Sequence, residues 1–282
     1  MKSQADSKTK WQDLSRCLLT GFGDTSLRVA LLAAHPDDET IGASCVITRF
    51  PLAHVIFVTK GAPRNQRLWT GGPYVSQEAY AETRRQEAIR ALDLAGVTAS
   101  RISWLSAVDQ EVAFEMPSLL TELHRVMHEI QPDILLTHPY EGGHPDHDST
   151  ALIARLTCDQ LAAGPLLVEM TSYHARDGRC MTGEFLNSDA SSELVCDFSR
   201  QEVARKEKMF DAYVSQRLLL GSFGIERERF RLAPRYDFTK PPHPGKLWYE
   251  CLGWPMSGER WRELAAFVIS FSSKRMESRS CA

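Results

Sequence analysis

The chain has 282 residues, which is enough for one large domain or two small ones. Hydrophobic residues make up 43% and charged residues 24% of the sequence, so composition excludes a disordered, collagen-like or coiled-coil protein and favours a soluble globular one. The 33 basic and 36 acidic side chains give a formal net charge of −3, which provides no electrostatic footprint for nucleic acid or an anionic membrane.

The cysteines and the apolar stretches bear on where the protein works. Seven scattered cysteines without a C-x-x-C pair predict reduced thiols rather than a disulfide framework or a cysteine-based zinc finger. The apolar stretches are too short to span a bilayer, and the polar N-terminus lacks the apolar core of a secretory signal. We therefore expect a cytoplasmic protein that acts on a small molecule, without nucleic acid or membrane as a partner. The sequence leaves open whether it forms a homo-oligomer.

The domain organisation follows from patterning along the chain. Residues 1–26 are polar and predict an N-terminal extension, either a tail or a short helix on the surface. Beyond it, no composition break or internal repeat is found, so we expect residues 27–282 to form one domain. Its core covers about 27–175, and a C-terminal region on the substrate side covers about 176–282.

Short aliphatic runs alternate with segments of helical periodicity, a rhythm typical of βαβ units. The predicted strands are 27–34, 54–59, 102–105, 133–137 and 166–170. The predicted helices are 76–95, 119–130, 150–163, 198–213 and 259–271, with irregular chain over 177–197 and a Pro-rich loop over 234–255. We predict an α/β fold, a Rossmann-like three-layer sandwich with a mostly parallel sheet and an irregular C-terminal region.

Polar side chains follow the first predicted strand where it ends, in the run AHPDDE at 34–39. Open α/β sheets bind ligands outside the carboxyl ends of their strands, so this cluster lies where a site is expected. The strand is not followed by G-x-G-x-x-G, which argues against a nicotinamide or flavin site. The chemistry must therefore come from the histidine and the carboxylates themselves.

A second polar run, GGHPDHD at 142–148, follows the fourth predicted strand. Imidazole and carboxylate groups suit a zinc ion, and catalytic zinc sites keep three protein ligands and one open position for water. His35, Asp38 and His147 could supply these three ligands. We predict Zn²⁺, with another divalent ion such as Fe²⁺ as the alternative.

Three further side chains in these runs have candidate roles. Asp37 lies between two ligands, and a free carboxylate beside metal-bound water, whose pKa falls to about 7, is a competent general base. His144, oriented by Asp146, would stabilise an oxyanion or protonate a leaving amine. The Asp146 carboxylate favours the protonated ring and the helix N-terminus the neutral ring, and the sequence does not decide between them. His138, at the same sheet edge, either lines the pocket as a substrate contact or only closes its strand.

The two runs together resemble the motifs of the LmbE-like, PIG-L family of zinc-dependent N-acetylglucosaminyl deacetylases. The similarity covers about residues 27–175 and includes VTKG at 58–61 and RRQE at 84–87. It implies a Rossmann-like fold, hydrolysis of an acetamide on an amino sugar, and the residue roles given above. It adds Arg84 and Asp109 as candidate substrate contacts.

One position departs from the family pattern. Some members have a tyrosine two residues before the histidine that matches His144, whereas this chain has Gly142 there and Tyr140 two residues earlier. Tyr140 therefore does not simply inherit the tyrosine's role. The aromatic residues of the C-terminal loop, Trp248, Tyr249 and Trp254, either stack against a sugar or bury the loop, and packing is the favoured interpretation.

Three hypotheses for function follow. The leading one is a metal-dependent hydrolase that removes an acetyl or similar acyl group from an N-acylated amino sugar or sugar conjugate. The second keeps the metal but replaces the substrate with a non-sugar N-acyl small molecule. The third is a non-catalytic binding protein that retains the fold, in which a structural zinc would be closed by a fourth protein ligand.

Overall fold

The structure, a computed structural model, describes residues 4–21, 26–50, 52–187 and 192–280. Its strands are β1 (Val29–Ala33), β2 (His54–Thr59), β3 (Ile102–Ala107), β4 (Ile134–Thr137), β5 (Leu166–Met170), β6 (Tyr173–Arg176), β7 (Arg179–Thr182), β8 (Glu193–Asp197) and β9 (Arg227–Leu232). Its helices are α1 (Gln4–Thr20), α2 (Asp38–Arg49), α3 (Gln77–Leu94), α4 (Val112–Ile130), α5 (Pro145–Gln160), α6 (Arg200–Ala212), α7 (Arg217–Leu220), α8 (Trp248–Cys251) and α9 (Gly258–Ser280). None of the helices in the described ranges has both the length and the hydropathy that a bilayer span requires.

The central sheet of the described ranges has seven strands in the order β3-β2-β1-β4-β5-β9-β8. The first five run parallel, and β9 and β8 join one edge in antiparallel orientation. Strand order reverses between β1 and β4, which pair directly with each other. Because ligands bind outside the carboxyl ends of strands at such a switch point, both polar runs are carried to one crevice.

Helices cover both faces of the sheet. Alternate residues of a strand point to opposite faces, and in β1 the residues Val29 and Leu31 join one hydrophobic cluster while Ala30 and Leu32 join the other. The first cluster packs the sheet against α1, α2, α3 and α6, and the second packs it against α4, α5 and α9. Every residue of β1 is therefore buried, as its unbroken aliphatic run predicts. The predicted three-layer α/β fold is confirmed.

Helix α5 begins at Pro145, five residues before its predicted start at 150. His144 is its N-cap, with the ring accepting a hydrogen bond from the Asp146 amide, and proline is favoured in the first turn because its fixed φ suits a helix and its missing N–H is not needed there. The metal-ligand candidate His147 thus lies in the first turn of a helix rather than in a loop. Because α5 begins earlier than predicted, the His147 side chain is carried by a helix, which is more rigid than a loop.

The C-terminal region is more regular than predicted, which corrects the expectation for 177–197. Strands β6 and β7 form a hairpin whose connection, Asp177-Gly178, has positive φ at both residues, 51° and 73°. An Asp-Gly pair between strands is a strong hairpin signal, so this turn was readable from the sequence. Strand β8 pairs with β9, which lies more than twenty residues further along the chain, and no local pattern announces such a pairing.

The predicted N-terminal extension is largely a helix. Of the 26 residues assigned to it, the structure describes 4–21 and 26, and α1 accounts for most of them. Leu14, Cys17 and Leu18 are fully buried in the first hydrophobic cluster. The helix is thus part of the core of the fold and not only a surface attachment.

Candidate active site and metal centre

The ends of β1 and β4 bring three candidate ligands together. His35, Asp38 and His147 offer nitrogen and oxygen atoms that all lie within 4.8 Å of one another, and all three residues are buried. His147 Nε2 lies 3.2 Å from Asp38 Oδ1, and His35 Nδ1 lies 3.4 Å from Asp38 Oδ2. Two ligands of one tetrahedral zinc ion are about 3.3 Å apart, given zinc–ligand distances near 2 Å. These separations therefore fit a shared ion.

The hydrogen bonding of His147 supports the same fit. Its Nε2 is buried and makes no hydrogen bond with acceptable geometry, which is costly for a polar atom unless a ligand completes it. Its Nδ1 lies 3.3 Å from the Ser172 hydroxyl, which can hold the ring in the tautomer that leaves the Nε2 lone pair free. Burial opposes ionisation of Asp38, but His147 and His138 hold its pKa well below the ordinary value. The donor set thus suits a divalent cation.

Asp37 has an unusual backbone conformation. Its φ is +122°, a region that costs a non-glycine residue about 1–3 kcal/mol and persists only where neighbours enforce it. The Arg84 guanidinium donates to the Pro36 carbonyl and lies 3.0 Å from Asp37 Oδ2, while the Asp37 amide donates to Glu39 Oε2 over 2.8 Å. These contacts hold Asp37 in place, and its side chain lines the cavity.

The electrostatics of Asp37 suit a proton acceptor. Burial raises its pKa to about 7, with Arg84 opposing the shift and the charge of Asp38 adding to it. A base with a pKa near the working pH combines a useful ionised fraction with a useful driving force for proton transfer. Arg84, which the family resemblance suggested as a substrate contact, is 2% exposed and acts directly on Asp37.

His144 is held in a defined tautomer. Its Nδ1 accepts a hydrogen bond from the Asp146 backbone amide over 3.0 Å, so the neutral ring carries its proton on Nε2. Burial, together with the nearby His35 and His147 rings, holds the pKa of His144 well below its ordinary value. The neutral ring, left undecided by the sequence, is the form that this environment favours. A neutral Nε2–H is a hydrogen-bond donor.

The Asp146 carboxylate does not orient His144 as predicted, because it lies against His35. Its Oδ2 is 3.1 Å from His35 Nε2 and accepts from the Gln110 amide over 2.6 Å. Asp109, the second substrate-contact candidate, also lies near His35, with Oδ1 3.2 Å from the same nitrogen. Burial lowers the pKa of His35, but these carboxylates hold it well above the ordinary value. Asp146 is therefore a positioning residue for a ligand, as carboxylates commonly are for metal-binding histidines.

His138 is placed behind the site, which corrects its assignment as a substrate contact. It has no exposed surface, and its ring stacks on that of His147 with centroids 4.0 Å apart. Its Nε2 accepts from the Ala34 amide over 3.0 Å and lies 3.3 Å from Asp38 Oδ2. His138 therefore contacts two of the candidate ligands, Asp38 and His147, and does not line the cavity.

A cavity of about 590 Å³ opens above these residues. We call its buried polar base the cavity floor, which is formed by His35, Asp37, Asp38, His144 and His147. We call its partly or largely exposed apolar rim the cavity mouth, which is formed by Leu68, Leu219, Trp248, Leu252 and Trp254. Trp248 and Trp254 line the cavity, and Trp254 also packs against the second hydrophobic cluster. Tyr249 is fully buried in that cluster, as the packing interpretation expects.

The glycine at the family's tyrosine position has a steric explanation. Gly142 has a φ of +70°, and a Cβ there would lie 2.6 Å from the side chain of Leu247. Tyr140 points elsewhere, because its hydroxyl donates to the Lys240 carbonyl over 2.9 Å within the second hydrophobic cluster. Residues of the C-terminal region therefore fill the space at this position.

The sequence did not reveal the hydrogen bonds through which the C-terminal region holds the cavity floor in place. Tyr213 donates through its hydroxyl to Glu39 Oε1 over 2.5 Å, and Glu39 in turn accepts the Asp37 amide. Ser215 donates through its amide and hydroxyl to Glu87, over 2.8 and 2.6 Å. Both carboxylates stand in the motifs already singled out, but nothing in the sequence connects them to 213–215.

A buried ion pair supports helix α2, which carries Asp38. The helix is interrupted at Ala43, which has a φ of −143°. Lys206 donates to the freed Ile41 carbonyl over 2.8 Å and to Glu228 over 2.7 Å. Glu228 accepts the amides of Ser44 and Cys45 beyond the break, over 2.8 and 3.0 Å. The pair therefore satisfies the backbone groups that the interruption exposes.

Comparison with known families agrees with this geometry. Residues 30–158 match the model of the PIG-L family, described as GlcNAc-PI de-N-acetylase. The match covers both polar runs and β1 to β4, so the resemblance noted in the sequence is confirmed. A search of curated proteins found no match to the chain.

Solved structures share the fold of this chain. The A40926 pseudoaglycone deacetylase Dbv21 aligns with a TM-score of 0.54 at 16% identity, over 74% of this chain and 98% of its own. The N,N'-diacetylchitobiose deacetylase from Pyrococcus horikoshii aligns with a TM-score of 0.53 at 20% identity, over 80% and 92%. A zinc-inhibited form of teicoplanin deacetylase Orf2 aligns at 0.52 and 14% identity, over 74% and 99%. At these identities the likeness concerns the fold.

Proposed function

We propose that this protein is a metal-dependent hydrolase that removes an acetyl or similar acyl group from an N-acylated amino sugar or sugar conjugate. The observation that carries the proposal is the arrangement of the floor, where His35, Asp38 and His147 converge while Asp37 stays free beside them. The description of the PIG-L family and the names of three deacetylases of the same fold support the choice of an N-acyl sugar.

The donor set leaves room for a reactant. Among the described residues two groups could hold an ion. His35, Asp109, His144 and Asp146 offer four ligands, as a closed structural site does, whereas His35, Asp38 and His147 offer three, as catalytic zinc sites do. A divalent ion bound there, which we take to be Zn²⁺ with Fe²⁺ as the alternative, supplies Lewis acidity and lowers the pKa of water. This favours an enzyme over the binding-protein hypothesis.

Asp37 and His144 carry out the proton transfers and the oxyanion stabilisation that hydrolysis also requires. Asp37, held by Arg84, accepts the proton of the attacking water as the carbonyl carbon becomes tetrahedral. His144 donates its Nε2–H to the oxyanion, because its Nδ1 is occupied by the Asp146 amide. The proton held by Asp37 then passes to the leaving amine as the C–N bond breaks, which yields a carboxylate and a free amine.

A panel assay tests the proposal. The purified protein, loaded with Zn²⁺ or Fe²⁺ and checked for metal content, is incubated with N-acetylglucosamine, its simple glycosides, N,N'-diacetylchitobiose and a set of N-acetyl amino acids. We expect release of free amine and acetate from the sugars, and loss of this activity when a chelator removes the metal.

Each result of the panel bears on a stated alternative. Turnover of the acyl amino acids in preference to every sugar would replace the proposed substrate with a non-sugar N-acyl compound. Absence of turnover with every compound, in protein that contains one equivalent of metal, would contradict the hydrolase proposal and favour the binding-protein hypothesis.

A further inference from the structure

Two cysteines of the first hydrophobic cluster lie side by side where α2 meets the edge of the sheet. Cys196 of β8 stands directly opposite Glu228 of β9 in the antiparallel ladder, and Glu228 accepts the amide of Cys45 over 3.0 Å. The two thiols share a hydrogen bond, and each cysteine is 2% exposed. Because residues that face each other across a ladder are close neighbours, the backbone as well as the thiols brings Cys45 beside Cys196.

An arginine lies against the same pair. Arg49 follows Cys45 by one helical turn in α2, so the two side chains lie on one face of the helix. The Arg49 Nη1 donates to Cys196 Sγ over 3.1 Å. A guanidinium at this distance favours the thiolate over the thiol, and the thiolate is the nucleophilic form of cysteine.

The two thiols differ in how readily they ionise. The hydrogen bond from the Cys45 thiol lowers the pKa of Cys196, burial opposes this shift, and the charge of Arg49 adds to it. Burial raises the pKa of Cys45 well above its ordinary value, and the hydrogen bond to Cys196 adds to that shift. Cys196 is therefore the thiol suited to attack an oxidant, and Cys45 stays protonated beside it for a second step.

Helix α1 covers the pair without filling all the space beside it. The Leu18 carbonyl of α1 accepts hydrogen bonds from Arg49 and, over 3.3 Å, from the Cys196 thiol. A surface cavity of about 250 Å³ lies between α1 and β8 and is lined by Trp11 and Leu194. Leu194 is two positions from Cys196, so both side chains lie on one face of β8. A small oxidant in this cavity is therefore next to the strand face that carries the thiol.

We propose that Cys45 and Cys196 form an oxidisable dithiol, which a hydroperoxide converts into a disulfide that links α2 to β8. The Cys196 sulfur attacks the peroxide oxygen, the O–O bond breaks, and the departing alkoxide takes up the proton that Cys196 has lost, which leaves a sulfenic acid. The Cys45 sulfur then attacks the oxidised sulfur, the S–O bond breaks, and hydroxide leaves as water with the proton of Cys45. The two thiols lose two electrons, and the hydroperoxide gains them.

The disulfide acts on the helix that carries a metal-ligand candidate. Asp38 begins α2, and Cys45 follows the interruption of this helix at Ala43. The cross-link ties the second half of α2 to the edge of the sheet, which limits the freedom of the unfolded chain and stabilises the fold. The two cysteines do not line the cavity above the floor, so their oxidation can be measured without a substrate and is independent of the proposed function.

Peroxide titration followed by mass spectrometry tests the pair. The purified Zn²⁺-loaded protein is treated with increasing amounts of H₂O₂, the remaining thiols are alkylated, and the proteolytic peptides are analysed. We expect one disulfide, between the peptides that contain Cys45 and Cys196, at peroxide concentrations that leave the exposed Cys251 open to alkylation. Dithiothreitol should reverse it, and the oxidised protein should melt about 5 °C or more above the reduced protein.

Variants assign the role of each thiol. In Cys45→Ala the second step is missing, so we expect Cys196 to accumulate as a sulfenic acid that dimedone labels. In Cys196→Ala we expect Cys45 to stay a thiol. Arg49→Met removes the cation but keeps an aliphatic side chain, and it should slow disulfide formation by about threefold. Arg205→Met, on the exposed face of α6, is the matched control and should leave the rate unchanged.

Contrary results are distinct. A disulfide between Cys196 and Cys17, which is also buried in the first hydrophobic cluster, would overturn the assignment of Cys45 as the partner. Oxidation of Cys251 while Cys45 and Cys196 remain thiols, in protein whose circular dichroism is unchanged, would overturn the proposal as a whole. Dimedone labelling of Cys45 in Cys196→Ala, at the rate seen for Cys196 in Cys45→Ala, would contradict the assignment of Cys196 as the attacking thiol.

Discussion

The segment that matches the PIG-L family model, residues 30–158, and the region that follows it contribute to the cavity in different ways. The matched segment supplies the floor from two short runs that each follow a strand, so neighbouring positions in sequence are neighbours in the site. The region after residue 176 supplies part of the mouth and the supports beneath the floor, through Tyr213, Ser215, Lys206 and Glu228. The side chains of the floor thus come from short local motifs. Their alignment, and the selectivity of the cavity, depend on contacts between segments that are distant in the sequence.

The largest expected effects concern the floor, and they separate a base from a ligand. Asp37→Asn is expected to lower kcat by about 10²–10⁴-fold while the metal content stays at one equivalent, because the amide cannot accept the proton of water. His35→Ala is expected to lose the metal itself, since one of three ligands is removed. Turnover assays and elemental analysis of the purified variants measure the two outcomes. Near-normal turnover in Asp37→Asn would exclude it as the base.

The next prediction concerns the buried ion pair between Lys206 and Glu228 in the C-terminal region. Lys206→Met keeps an aliphatic side chain but leaves Glu228 buried without its cation, and we expect a loss of about 3–5 kcal/mol in the free energy of unfolding. Lys208→Met, on the exposed face of the same helix, is the control and should change stability by less than about 0.5 kcal/mol. Denaturant unfolding of both variants gives the values. Equal stabilities would mean that the C-terminal region does not support α2.

A single hydroxyl connects the C-terminal region to Asp37. Tyr213→Phe removes the donor to Glu39, which accepts the Asp37 amide, and we expect kcat to fall about tenfold with KM and metal content unchanged. Tyr249→Phe removes another buried hydroxyl, one that has no hydrogen-bond partner, and is expected to leave kcat within about twofold. If the two variants behave alike, the Glu39 contact does not position the base.

The smallest expected effect is a shift along the pH axis. Burial raises the pKa of Asp37 to about 7, and the protonated carboxyl cannot act as a base, so kcat/KM should decrease as pH falls through this value. A divalent cation beside Asp37 favours the ionised form, which places the acid limb at or below about pH 7. A profile of kcat/KM between pH 5 and 9 locates the limb. An acid limb centred well above pH 7, or a kcat/KM that rises as pH falls below 7, would contradict the base role of Asp37.

The sequence predicted those features that depend on the pattern of one short segment. The aliphatic runs and the two polar runs predicted the parallel sheet and the convergence of His35, Asp38 and His147, because parallel strands end at a common edge. The assignment of Asp146 to His144 was wrong, since a helix begins at Pro145 and turns the carboxylate toward His35. The sequence placed His138 at the correct edge of the sheet. It did not show that the ring is fully buried rather than lining the cavity.

Contacts between distant segments could not be predicted. Tyr213 and Glu39 are 174 residues apart, and Lys206 and Ile41 are 165 apart, with no periodicity or motif that relates one partner to the other. A lysine in a charged helical run indicates an exposed face, yet Lys206 is 1% exposed. Its burial depends on the interruption of α2 at Ala43, which is a property of the packed molecule.

The anchoring of the mouth has a consequence for engineering. Leu219 and Leu252 belong to two short helical segments, α7 and the turn after α8, that follow the segment matched by the PIG-L model and meet it through a few backbone and hydroxyl contacts. Grafting segments of equal length from other proteins of this fold, with Ser215 and Trp248 retained, would alter which ligands enter while His35, Asp38 and His147 keep their surroundings. Diversity libraries confined to these two stretches are therefore a direct route to new substrate ranges.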